Sequence, residues 1–148
     1  MYPELNLPKA DLRITHDTDG IHVFDVFRKL NVELTPEEWV RQHVLHFLTV
    51  EKGYPKGLIE VEKSIRLFNT DKRVDILVRS AELKPLLLVE CKAPEVKLTQ
   101  EELNQLGRYQ ITLNAPLCML TNGLQHFVML NKEGKLGFSD NLPSYSEI

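Results

Sequence analysis

The sequence predicts a mixed α/β fold, with a central sheet flanked by helices, and three observations carry that expectation. Arg73 to Val78 carries an apolar strand core, and Leu86 to Val89 is continuously apolar, as expected of a strand buried on both faces. Thr35-Pro36-Glu37-Glu38 and Thr99-Gln100-Glu101-Glu102 each place a threonine three residues before a glutamate, the signature of a capped helix start. Between and after these two starts, apolar segments punctuated by turn residues give the order helix, three strands, helix, two strands.

Residues 1–20 hold Pro3 and Pro8 without a clear period, which predicts an extended arm or one short strand. Ile21 to Phe27 reads as a strand at an edge. The first helix opens at Thr35 with proline in its first turn, and Trp39, Val40, Val44, Phe47 and Leu48 recur at helical spacing to about residue 50. Gly53-Tyr54-Pro55-Lys56-Gly57 breaks it. Leu58 to Phe68 partly alternates, as a strand with one wet face does, and Asn69 to Lys72 turns the chain into the Asp75 strand. Ala81 to Pro85 connects to the Glu90 strand, expected antiparallel and adjacent to it. The second helix carries Leu103, Leu106, Gln110 and Leu113 on one side. Two further strands, Pro116 to Leu120 and Gln125 to Leu130, flank Asn122-Gly123, read as a type I′ hairpin turn. A Gly134 turn leads to a short strand near Leu136 to Phe138.

The chain of 148 residues predicts a single domain, residues 21–148, behind the arm, with no room for a motor or methylation module. Hydrophobic content of 43% and charged content of 26% suit an ordinary globular protein. No apolar run is long enough to span a bilayer and the first residues lack a signal-peptide pattern, so a cytoplasmic address with no membrane partner is expected. Cys91 and Cys118 lie in apolar runs and read as buried thiols. The net charge of −3 argues against bulk electrostatic binding of nucleic acid, yet residues 52–97 carry ten Lys/Arg against seven Asp/Glu. A modest basic surface around the strands follows.

The chemistry concentrates where the apolar strands end in charge. Along Val89-Glu90-Cys91-Lys92, Glu90 and Lys92 share one face while Cys91 points to the other. A carboxylate there needs a partner, and Asp75 on the neighbouring strand places a second carboxylate beside it. Two adjacent carboxylates repel, a conflict that a hard divalent cation such as Mg²⁺ resolves by binding both through oxygen. The Lys92 amine is expected within hydrogen-bond reach of one of them, where it can orient an attacking water or stabilise an oxyanion.

The spacing of Asp75, Glu90 and Lys92 resembles the PD-(D/E)xK nuclease superfamily, with Val74 standing where its name has proline. Six pieces in order, over roughly residues 21–131, extend the likeness to the N-terminal nuclease domain of type I restriction enzyme R subunits and its small stand-alone relatives. They are Leu34 to Gln42, Gly53-Tyr54-Pro55, Arg73 to Ile76, Val89 to Pro94, Gln105-Leu106-Gly107-Arg108-Tyr109 and Thr121-Asn122-Gly123. The resemblance implies a restriction-endonuclease-like fold, Mg²⁺-dependent hydrolysis of DNA phosphodiesters with Mn²⁺ as a substitute, and Asp75, Glu90 and the Cys91 carbonyl oxygen as metal ligands. It also implies that Gln105 and Tyr109, four apart on one helical face, approach the cleavage site in the cleft of Lys92.

The same likeness suggests that a glutamate of the first helix faces the cation. Glu38 is the candidate, although its place in the capping box explains it equally well. Glu37 is four residues before Arg41, so a helix-surface ion pair accounts for both. His43 and His46, three apart, lack a completing ligand set and read as packing or solvent-exposed residues. Expected partners are DNA, a restriction-system or motor protein, and a second copy in a homodimer. The alternative is a catalytically weak or inactive nuclease-fold module that binds DNA or a protein, since a scaffold does not fix an activity.

Overall fold

The computed structural model describes residues 2–148; Met1, the first residue of the expected arm, lies outside the described residues. Two sheets form. The smaller is an antiparallel meander of β1 (Ile14–Asp17), β2 (Gly20–Asp25) and β3 (Leu30–Glu33). The larger has six strands in sequence order, β4 (Ile59–Leu67), β5 (Thr70–Arg79), β6 (Pro85–Cys91), β7 (Leu117–Thr121), β8 (His126–Lys132) and β9 (Lys135–Ser139). All neighbours in it are antiparallel except β6 and β7. That one parallel pair requires a crossover, and α2 (Gln100–Thr112) supplies it.

The mixed α/β architecture and the adjacent antiparallel Asp75 and Glu90 strands agree with the sequence. Helix α1 (Pro36–His46) continues through a wider turn at Phe47–Glu51 and buries Val40, Val44, Leu45 and Leu48 with Ile76, Val78, Leu87 and Val89 on one face of the sheet. On the other face α2 buries Leu103 and Leu106 with Leu77, Leu88 and Cys118. Strands sandwiched in this way must be apolar on both sides, which is why β5, β6 and β7 were legible. Gln110 is the exception on the α2 face. It is buried with both polar ends satisfied, its Nε2 donating to the Met129 carbonyl at 3.0 Å and its Oε1 accepting from the Cys118 thiol at 2.9 Å.

Three local expectations need correction. Ile21 to Phe27 is not an edge strand of the main sheet: β2 is the centre of the separate meander, and β3 was missed because Leu30 and Val32 are not buried. The Thr35 capping box is half formed. Thr35 Oγ1 accepts from the Glu38 amide at 3.1 Å, but the Thr35 amide donates to the Glu33 carbonyl, leaving the Glu38 carboxylate for other partners. The Asn122-Gly123 turn is not type I′, which demands positive φ at both central residues. Of the two, Gly123 alone is positive, at 87°, while the Asn122 Oδ1 accepts from the amides of Leu124 and Gln125 in a longer Asx-type loop. The Thr99 capping box is complete.

The N-terminal arm is fastened to the domain. The Asn6 amide donates to the Gly123 carbonyl, Leu5 is buried against Val40 and Gly123, the Trp39 Nε1 donates to the Pro3 carbonyl, and the Tyr2 hydroxyl donates to the Leu34 carbonyl. No helix among the described residues is long and apolar enough to cross a membrane.

Candidate active site

Where β6 ends against the middle of β5, Asp75 and Glu90 meet at hydrogen-bonding distance. Asp75 is buried, its Oδ2 accepting from the Cys91 amide at 2.7 Å and its Oδ1 from Arg41 Nη2 at 2.8 Å. Burial works against its charge, but the hydrogen bond from the Glu90 carboxyl, followed by those from the Cys91 amide and Arg41, holds Asp75 below the ordinary carboxylate range. Glu90 has no such support. Burial, followed by the Asp75 carboxylate at its side, pushes its pKa up to about 9. At neutral pH and without a cation, therefore, the two carboxyls share one proton.

This pair fits a hard divalent cation, because a cation would satisfy both oxygens where the proton now satisfies one. Among the described residues no group of three His, Cys, Asp or Glu side chains forms a ready cage. The donor set is two carboxylates plus whatever backbone carbonyl and waters complete it, which suits Mg²⁺ better than zinc.

Glu90, Lys92, Gln105 and Tyr109 line one cleft of about 170 Å³, together with Lys72, Arg73, Glu102 and Leu106. The capped α2 sets this geometry, since burying Leu103 and Leu106 against the sheet turns Gln105 and Tyr109 toward the end of β6. Gln105 Nε2 donates to the Tyr109 hydroxyl at 2.8 Å. The expected contact of Lys92 with Asp75 or Glu90 is replaced by another: its Nζ pairs with Glu102 Oε2 at 3.4 Å. Burial opposes the ammonium, but Glu90 and Glu102 outweigh it and raise its pKa, so Lys92 enters the cleft as a cation.

Behind the cleft lies an ion network that sequence reasoning missed. Arg41 is buried rather than on the helix surface. It pairs with Glu38, with Asp75 at 2.8 Å, with Glu37 at 3.3 Å and with Glu62 at 3.5 Å. Glu38 also accepts from Arg28 at 2.8 Å and from Gln42 at 3.0 Å, and Arg28 reaches back to the buried Asp25 at 2.6 Å. The candidate ligand Glu38 is thus spoken for by two guanidiniums and an amide. To bind a cation it would have to leave them. Glu62, on β4 beside Asp75, has φ of +53° and leaves a gap in the ladder between the Val61–Ile76 and Lys63–Val74 pairs. A non-glycine in that conformation within a strand is strained, as residues at functional sites often are. The spacing of Glu38, Arg41, Gln42 and Leu45 along one buried helix face was the available signal for this network. His43 is buried, and that burial depresses its pKa, as expected of packing rather than ligation.

Comparison with known proteins agrees with this architecture. A family model described as type I restriction enzyme R protein N terminus (HSDR_N) matches residues 36–143. A solved fragment assigned to the HsdR subunit of a type I restriction enzyme from Vibrio vulnificus superposes with a TM-score of 0.60 at 20% identity, over 77% of this chain. The chain spans 24% of the length of that relative, so the likeness is one of fold. None of the curated proteins compared matches this chain.

Proposed function

Since this chain belongs to the family of type I restriction enzyme R protein N termini, we propose that it is a metal-dependent endonuclease domain that hydrolyses phosphodiester bonds in DNA. The observation that carries this reading is the Asp75–Glu90 pair, two carboxyls within hydrogen-bonding distance where β6 ends against the middle of β5, with Glu90 opening into the cleft that Lys92 also lines. Asp75, Glu90 and the Cys91 carbonyl oxygen are the groups that would hold Mg²⁺ or Mn²⁺, with Glu38 as a further candidate. A cation there supplies Lewis-acid polarisation of the phosphate and acidifies an attacking water.

The chain's own residues do the rest. The Cys91 amide and Arg41 fix Asp75 in one orientation, so its charge is aimed before substrate arrives. Lys92 orients the water or offsets charge developing on the phosphorus oxygens. Gln105 and Tyr109, joined by their hydrogen bond, hold the substrate backbone against that lysine. Lys72 and Arg73 contact flanking phosphates. In the wider setting the family suggests, DNA and restriction-system proteins are the partners.

A second reading is favoured by one contact. Arg41 already neutralises Asp75, and a guanidinium that keeps that carboxylate would leave a module that binds DNA without cutting it. Incubating supercoiled plasmid with the protein and Mg²⁺ or Mn²⁺ separates the two. Nicking that is abolished by EDTA and reduced at least about 100-fold in Asp75→Ala supports the nuclease. DNA binding without any nicking supports the inert module.

A further inference from the structure

The β4–β5 hairpin ends in a residue that folding alone does not explain. β5 pairs with β6 from Ile76 onward, so the stretch Thr70–Asp75 projects beyond β6 together with its partner end of β4. The turn between the paired Leu67 and Thr70 is Phe68-Asn69, with φ of +53° and +61°. Asn69 suits that left-handed conformation, but an aromatic at Phe68 does not. Burial offers no compensation, because Phe68 is 61% exposed. Its aromatic neighbour is Tyr109, ring centroids 6.4 Å apart and planes inclined by 42°. Tyr109 lines the candidate cleft, as do Lys72 and Arg73 a few residues along the same hairpin.

An exposed ring overhanging a cleft with two cations at its rim matches the chemistry of an unpaired nucleotide, which offers a bare π-face and a phosphate together. In a closed duplex the bases are stacked on each other and present no face to such a ring. We propose that the cleft receives a single-stranded stretch of DNA, with Phe68 stacking on the base beside the phosphate held by Lys72 and Arg73. The inference rests on the nuclease reading and narrows its substrate to unpaired strand.

Fluorescence anisotropy of the whole chain in EDTA, with a labelled oligothymidylate and with a blunt duplex of the same length, tests it. The wild type should bind the single strand more tightly, and Phe68→Ala should weaken that binding roughly 10-fold while leaving duplex binding unchanged. Phe68→Trp should retain affinity, and its new indole should be quenched on binding above the Trp39 background of the wild type. Single-strand affinity indifferent to Phe68→Ala, or an unquenched indole in Phe68→Trp, overturns the stacking. In Mg²⁺ and with the same two oligonucleotides, cleavage of the blunt duplex as fast as that of the single strand and unchanged by Phe68→Ala overturns the substrate assignment while leaving the nuclease reading intact. A wild type that neither binds nor cuts any DNA overturns both.

Discussion

Asp75 and Glu90 are chemically identical groups that the fold drives in opposite directions. Burial works against charge on both, but Asp75 accepts hydrogen bonds from the Glu90 carboxyl, the Cys91 amide and Arg41, whereas Glu90 is left with burial and a like charge. The native, metal-free protein therefore binds the Glu90 proton more tightly than the unfolded chain does. That contribution to stability is complete below the ordinary carboxylate value of 4.5 and is lost as pH rises through about 9. Replacing Glu90 by glutamine removes the repulsion, so the metal-free variant should melt roughly 3 °C above wild type at pH 8, about 1 kcal/mol, and no higher at pH 4. Mg²⁺ should raise the wild-type melting temperature and leave Glu90→Gln unmoved. A variant that melts below wild type at pH 8 in EDTA would refute the strained pair. The carboxylates and Lys92 were readable because strand parity places them. Arg41 was not, because its key partner Asp75 lies 34 residues away and no local pattern announces that contact.

The elements divide in legibility along the same physical line. The inner half of β5 and most of β6 and β7 are buried on both faces and advertise it with the apolar runs Ile76–Val78, Leu86–Val89 and Leu117–Leu120. β1 is four residues long and exposed throughout, so its pairing with β2 is fixed by backbone hydrogen bonds that carry no side-chain signature. The arm's attachment was equally hidden, since it depends on one glycine. A Cβ at Gly123 would lie 2.7 Å from one Leu5 methyl carbon, 3.1 Å from the other and 3.2 Å from Val40, at a φ that already disfavours side chains. Gly123→Ala should therefore cost about 1–2 kcal/mol in urea unfolding and expose the arm to limited proteolysis. Gly107→Ala provides the contrast. Its Cβ would meet the side-chain end of Leu136 at 2.8 Å, a group exposed enough to move, and alanine favours the helix, so stability should change by less than about 0.5 kcal/mol. Equal losses in the two variants would show that the Gly123 contact with the arm is not what demands glycine there.

At the scale of the whole molecule, charge limits what the site can do alone. The net charge of −3 gives DNA little general attraction, and the cations lining the cleft are Lys72, Arg73 and Lys92. Lys92 is itself partly neutralised by Glu102. Counterion release by two or three such contacts gives a shallow salt dependence, with log K falling against log salt with a slope of about −2 to −3. Weak binding at physiological salt follows. On the proposed nuclease reading a single Asp75–Glu90 centre would act on one strand at a time, so a double-strand break would need a second centre or a partner that presents the other strand. With unpaired strand as the substrate, the isolated chain should accordingly nick supercoiled plasmid slowly, where torsion opens the duplex, and double-strand cleavage should rise more steeply than linearly with protein concentration or appear on adding a DNA-delivering partner. Plasmid cleavage across a protein titration, run beside light scattering to follow oligomeric state, measures both. Rapid double-strand cleavage by a preparation that stays monomeric at physiological salt would show that a lone centre on this weakly charged surface is sufficient, and the requirement for help would be wrong.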